Sequence, residues 1–188
     1  MCRSLGFTIL EMLVALAIVG VMTGFALPAF QHFVQQNRSA AALNQLTGAV
    51  QFARTAAITM RSTVALCPAE DGRACGPRDT WHTGAIVFID RDRNGRREND
   101  ESLLRVLPAL APGSRVYWRS FRNRSYLSFT STGLTAWQNG SFRYCPPGND
   151  PTLIREVIIN PAGRLRRAPD QDGDGVVEDA TGEPVSCP

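Results

Sequence analysis

Two acidic runs carry the densest oxygen-ligand chemistry in the chain. Asp90-Arg91-Asp92-Arg93-Asn94-Gly95, followed by Glu101, matches the calcium-loop pattern letter for letter. The ligands in that reading are Asp90, Asp92, Asn94 and Glu101, with Gly95 at the sharp turn. A helix normally precedes such a loop, whereas a strand-like segment precedes this one. The arginines inside it also oppose a cation, so a polar hairpin turn is the competing reading. Asp170-Gln171-Asp172-Gly173-Asp174-Gly175 begins the same way, with Asp170, Asp172 and Asp174 as ligands. Its twelfth position is Thr181 instead of a bidentate glutamate, with Glu178 or Asp179 as substitutes, and a solvated acidic loop competes. Calcium is the one candidate cofactor.

The basic side is arginine throughout. Lysine is absent, and the net charge of +3 is too small to name a partner. Arg115, Arg119, Arg122 and Arg124 interleave with Tyr117, Trp118, Phe121 and Tyr126. Cations beside aromatics are the footprint of nucleic-acid binding. A half-exposed strand with its aromatics in the core explains the same pattern and is preferred. A second cluster reads Gly163-Arg164-Leu165-Arg166-Arg167. No nucleophile elbow or phosphate-loop glycine pattern occurs, and neither His32 nor His82 has a convincing catalytic neighbour in sequence. The chain is not read as an enzyme.

The elements that must carry these groups begin with an apolar stretch, Phe7 to Leu27, long enough to span a bilayer as a helix. Glu11 interrupts it near its start, where a carboxylate is expensive in lipid. A secretory signal cleaved near Ala26 and a plain signal anchor both leave Glu11 unexplained. Beyond Pro28, which removes a backbone donor and should kink a helix, Leu43, Leu46, Val50, Ala53, Ala57 and Met60 recur at helical steps. A helix from Phe7 to about Met60 would be roughly 80 Å long. Short strand-like runs follow at 63–67, 84–89, 103–106, 115–118, 126–129, 141–144 and 156–159, with connections too short for crossover helices. The expected fold class is α+β, one long N-terminal helix on a mostly antiparallel sheet.

Met1-Cys2-Arg3-Ser4-Leu5-Gly6, followed by Phe7-Thr8-Ile9-Leu10-Glu11, resembles the class III signal of type IV pilins and type II secretion pseudopilins. The resemblance implies a leader over 1–6 removed by a prepilin peptidase after Gly6, and methylation of Phe7. It implies that Glu11 pairs with the Phe7 amine of a neighbouring subunit during assembly, and that Pro28 is the helix-kinking proline common in the family. It divides the chain into that leader, a transmembrane or filament-core helix over 7–28, an amphipathic half over 29–61 and a β-rich head over 62–188. Gln51-Phe52-Ala53-Arg54-Thr55-Ala56-Ala57, Val64-Ala65-Leu66-Cys67, Gly84-Ala85-Ile86-Val87-Phe88-Ile89-Asp90 and Asn160-Pro161-Ala162-Gly163-Arg164 resemble the GspH/FimT family of minor pilins and minor pseudopilins.

That resemblance implies a type IV pilin-like fold and a minor pilin that initiates or caps a pilus. The alternatives are a type II secretion minor pseudopilin and a DNA receptor on a transformation pilus. The implied partners are the peptidase, other pilins or pseudopilins and the bacterial inner membrane, crossed once with the head in the periplasm. DNA is a further candidate partner, because Gly163-Arg164-Leu165-Arg166 is similar to the Gly-Arg-x-Arg motif of DNA-binding minor pilins, with Arg167 beside it. The acidic run from Asp170 opposes it. Removal of the leader takes Cys2 from the five cysteines and leaves an even number, which fits an oxidising compartment. Pairing of sequence neighbours, Cys67 with Cys75 and Cys145 with Cys187, is preferred; sequence leaves the other pairings open. Zinc is disfavoured because no Cys-x-x-Cys pair exists.

Overall fold

The structure, a computed structural model, describes residues 8–179 and 181–188, apart from the side chains of Phe25, Pro28 and Ala29. Gly6 and Phe7 therefore lie outside the described residues. Helix α1 (Ile9–Met60) opens on Thr8, whose Oγ1 accepts the Glu11 N–H at 3.2 Å and whose carbonyl accepts the Met12 N–H at 3.2 Å. This is side-chain capping of donors that the first turn leaves free. Pro28 falls within the bounds of α1.

The chain divides into two compact units between Asn37 and Arg38. In the first, apolar side chains face outward on every side of the helix: Ile9, Leu13, Leu16, Val19, Met22, Leu27, Phe30 and Phe33 are all exposed. The second unit has its own core. There α1 buries Ala42, Leu43, Leu46, Ala49, Val50, Ala53, Ala56 and Ala57. Alanines widen the expected stripe, and Met60 leaves it, being half exposed where the helix ends and Arg61 turns to φ 49°.

One sheet was expected, and two are found. The first runs β3 (Leu103–Leu107), β2 (Ala85–Ile89), β1 (Val64–Pro68), β5 (Leu127–Phe129). The second runs β4 (Arg115–Ser120), β6 (Gly140–Cys145), β7 (Arg155–Ile159), β8 (Leu165–Arg167). All these pairings are antiparallel. Each sheet turns one face to α1: Val64, Leu66, Val87, Leu127 and Phe129 from the first, and Val116, Trp118, Phe142, Tyr144, Val157 and Ile159 from the second. Strand alternation puts these residues on one side. Burying each large apolar side chain contributes about 1.5–3 kcal/mol. Trp118 stacks on Phe142 at 4.3 Å, and Trp81 meets the same ring edge-on at 4.8 Å.

The opposite faces are covered separately. Ala65, Cys67, Ile86, Phe88 and Tyr126 form a small cluster with Cys75 packed on it, and Cys67 is bonded to Cys75. Ile154, Ala168, Val177 and Val185 form another with Cys187 packed on it, and Cys187 is bonded to Cys145. The C-terminal tail thereby covers the outer face of the second sheet. Beneath it Arg143 and Glu156, opposite one another on β6 and β7, form an ion pair at 2.7 Å. Arg143 also donates to the Ser186 carbonyl at 2.5 Å, so the guanidinium is satisfied where water is scarce.

Candidate functional site

Two regions concentrate chemistry. The first is the beginning of α1. Glu11 lies in its first turn, where the positive end of the helix dipole favours a carboxylate. Leu10, Met12 and Leu13 beside it are exposed. A helix apolar all round belongs in a dry environment, a bilayer or a bundle of like helices. Among the described residues no helix is long and apolar enough to cross a membrane. The stretch that sequence marks as a span begins at Phe7, outside those residues.

The second region lies at the end of the first sheet. Arg61, Arg91, Arg93, Arg122 and Arg124 line a cavity of about 420 Å³, together with Tyr126, Ser128, Thr130, Ser131 and Gln138. No carboxylate lines it. Arg61 and Arg93 are non-glycine residues with φ of 49° and 63°, and Ala136, also on the wall, has φ 46°. Such backbone is costly and concentrates at functional sites. Exposed Phe121 and Trp137 flank it in sequence, and the Arg122 guanidinium lies 6.0 Å from the Trp137 ring centre.

The aromatic-interleaved arginines therefore separate. On β4, Arg115 and Arg119 are exposed while Trp118 is in the core, as a half-exposed strand requires. Arg122 and Arg124, just beyond β4, join the cavity. Arg61, Arg91 and Arg93 were not singled out as an anion site from sequence. Their convergence with Arg122 and Arg124 joins three parts of the chain, and no short-range spacing encodes it.

The late motif is placed elsewhere. Gly163 has φ 72°, its N–H donates to the Asn160 carbonyl at 2.9 Å, and an added Cβ would lie 2.3 Å from the Gly133 carbonyl oxygen. Arg54 of α1 donates to the carbonyls of Gly133 and Ala162 at the same place. Turn geometry and close packing thus account for this glycine. Arg164 and Arg166 are exposed, and Arg167 donates to Asn44 on α1 at 2.6 Å.

Both acidic runs fold into loops with matching hydrogen bonds. Asp90 Oδ2 accepts the Gly95 N–H at 3.2 Å, as Asp170 Oδ2 accepts that of Gly175 at 2.9 Å. Asp92 accepts the Asn94 N–H at 3.1 Å, as Asp172 accepts that of Asp174 at 3.2 Å. Glu101 accepts the Arg91 N–H at 2.7 Å, and Glu178, three positions earlier in its loop, accepts that of Gln171 at 2.7 Å. The four carboxylates Asp170, Asp172, Asp174 and Glu178 form one group, and Asp90, Asp92 and Glu101 another. Asn94, expected as a ligand, donates its amide N–H to Asp92 at 2.5 Å and to Glu98 at 2.7 Å, and its Oδ1 accepts the Arg96 N–H at 2.6 Å.

An apolar N-terminal helix continuing into a helix that packs on antiparallel sheets defines the type IV pilin-like class. Residues 42–163 match the family described as type II transport protein GspH, and residues 1–27 match the prokaryotic N-terminal methylation motif. The chain belongs to the GspH family. Among solved structures it is similar to the type IV minor pilin FimU of Pseudomonas aeruginosa, at 21% identity and TM-score 0.57, covering 73% of this chain and 92% of that one. It is also similar to EpsH, the minor pseudopilin of the Vibrio cholerae type 2 secretion system, at 12% identity and TM-score 0.51, covering 72% and 99%. At these identities the likeness shows the fold. No curated protein sequence matches.

Proposed function

We propose that this chain is a minor type IV pilin, held in the inner membrane by its N-terminal helix and then incorporated into a filament that it helps initiate or cap. The observation that carries this reading is the methylation-motif match over residues 1–27 leading into a helix apolar on all sides. A prepilin peptidase removes residues 1–6, and Phe7 is methylated. In the filament Glu11 pairs with the Phe7 amine of a neighbouring subunit, so that two charges in a dry bundle become one satisfied pair and fix axial register. The two head disulfides support a pilus over a periplasmic secretion piston, because an extracellular filament end rewards covalent staples. The test is the location of the chain in cells carrying both machineries. Recovery with sheared surface filaments is expected. Recovery only with secretion-system complexes would favour the minor pseudopilin.

DNA binding is a second reading, favoured by the arginine-lined cavity and not by the late glycine-arginine motif. Arginine forks match phosphate oxygens, and Phe121 and Trp137 offer faces on which bases stack. If so, affinity of the full chain in detergent for single-stranded DNA falls steeply with salt. Replacing Arg122 and Arg124 by glutamine flattens that slope by about 1.4. Loss confined to Arg164→Gln and Arg166→Gln would place the contact at β8 instead.

A further inference from the structure

We propose that the loop joining β2 to β3 is a calcium site, with Asp90, Asp92 and Glu101 as its carboxylate ligands. These three residues each offer an oxygen within 4.8 Å of the others. Oxygens bound to one calcium ion at about 2.4 Å lie at most about 4.8 Å apart, across its diameter. An all-oxygen set excludes the softer metals that prefer thiolate or imidazole.

A second, independent feature singles out this loop. Asp90 is fully buried, and its Oδ1 has no hydrogen-bond partner. It is the one carboxylate with such an oxygen among the described residues. A buried acceptor without a partner costs about 1–3 kcal/mol, and more if charged. Glu101, 4% exposed, faces the same loop. A cation between these carboxylates would offset the mutual repulsion of their negative charges.

The arginines that seemed to oppose a cation do not occupy this place. Among the described residues no arginine forms an ion pair with these carboxylates; the buried pair is Arg143 with Glu156, in the other sheet. Arg91 and Arg93 alternate with Asp90 and Asp92 and line the neighbouring cavity instead. Arg97 donates to the Arg73 carbonyl at 2.9 Å. The backbone is fixed for the purpose. The Asp90 N–H donates to the Thr63 carbonyl at 3.0 Å, and Gly95, at φ 74°, packs where a Cβ would strike the Tyr126 ring at 2.2 Å. An ion here ties the end of β2 to the start of β3 and holds Arg91 and Arg93 toward the cavity. The loop over Asp170–Glu178 shares the hydrogen bonds but has no buried orphan oxygen, so it serves as the comparison.

The test uses the full chain in detergent, stripped with chelator and titrated with calcium chloride by calorimetry and thermal unfolding. Wild type should bind calcium at submillimolar to millimolar concentration and gain thermal stability. Asp90→Asn should remove one bound ion, or weaken binding at least tenfold, while Asp170→Asn keeps that ion. Without calcium, Asp90→Asn should melt above wild type because repulsion is relieved; in saturating calcium it should melt below. Should Asp90→Asn fail to fold, Glu101→Gln replaces it, and loss of the calcium-induced shift there supports the site equally. Absence of heat and of any melting shift in wild type at millimolar calcium overturns the proposal. So does an ion that survives both Asp90→Asn and Glu101→Gln.

Discussion

Glu11 carries a formal charge in a helix with apolar neighbours facing outward on all sides. Replacing it with alanine makes the segment more apolar, so membrane fractionation of Glu11→Ala should match wild type while incorporation into filaments is lost. Normal incorporation would refute the pairing with Phe7. Gly163 belongs to a different physical class. Its positive φ and the 2.3 Å approach to the Gly133 carbonyl oxygen leave no room for a methyl group. Gly163→Ala should destabilise the fold by about 2–4 kcal/mol in denaturant titration. Arg164→Gln should stay within about 0.5 kcal/mol, since that side chain is exposed. Equal effects from the two would put the glycine's role outside the turn. For Glu156→Gln, which leaves buried Arg143 without its counter-charge, about 3 kcal/mol of lost stability is expected.

The elements were legible to different depths. Strands β1 to β7 show in the sequence because each alternates apolar and polar residues or forms a short apolar run between turn residues. Strand β8 does not. Leu165-Arg166-Arg167 has one apolar residue, and its pairing to β7 follows from the Gly163 turn. Division into two sheets was also hidden, because β1 pairs with β5 across most of the head, and alternation says nothing about distant partners. Chain order brought both acidic loops into view, since their ligands are close in sequence. The arginine cavity was invisible for the opposite reason. At this scale the Cys145–Cys187 bond, with a sequence separation of 42, staples the tail over β6. Replacing both cysteines by serine should cost about 3–4 kcal/mol and uncover Arg143 and Glu156. Limited proteolysis should then cut first between Pro169 and Pro188. An unchanged cleavage pattern would show that apolar packing of Val177 and Val185 holds the tail by itself.

At the scale of the whole molecule, one chain joins two solvation problems. The N-terminal unit is apolar outward, whereas the head closes its own core and two stapled outer faces. Residues 42–163 match the GspH family and residues 1–27 match the N-terminal methylation motif, so each unit carries its own pilin-type signature. The most direct measurement is the intact mass and N-terminal sequence of the protein extracted from its native membrane. Loss of Met1 to Gly6 with a single methyl group on the amine of Phe7 is the expected result. Cleavage after Ala26, or a mature chain that keeps its first six residues, would contradict the reading of this chain as a pilin-type filament subunit.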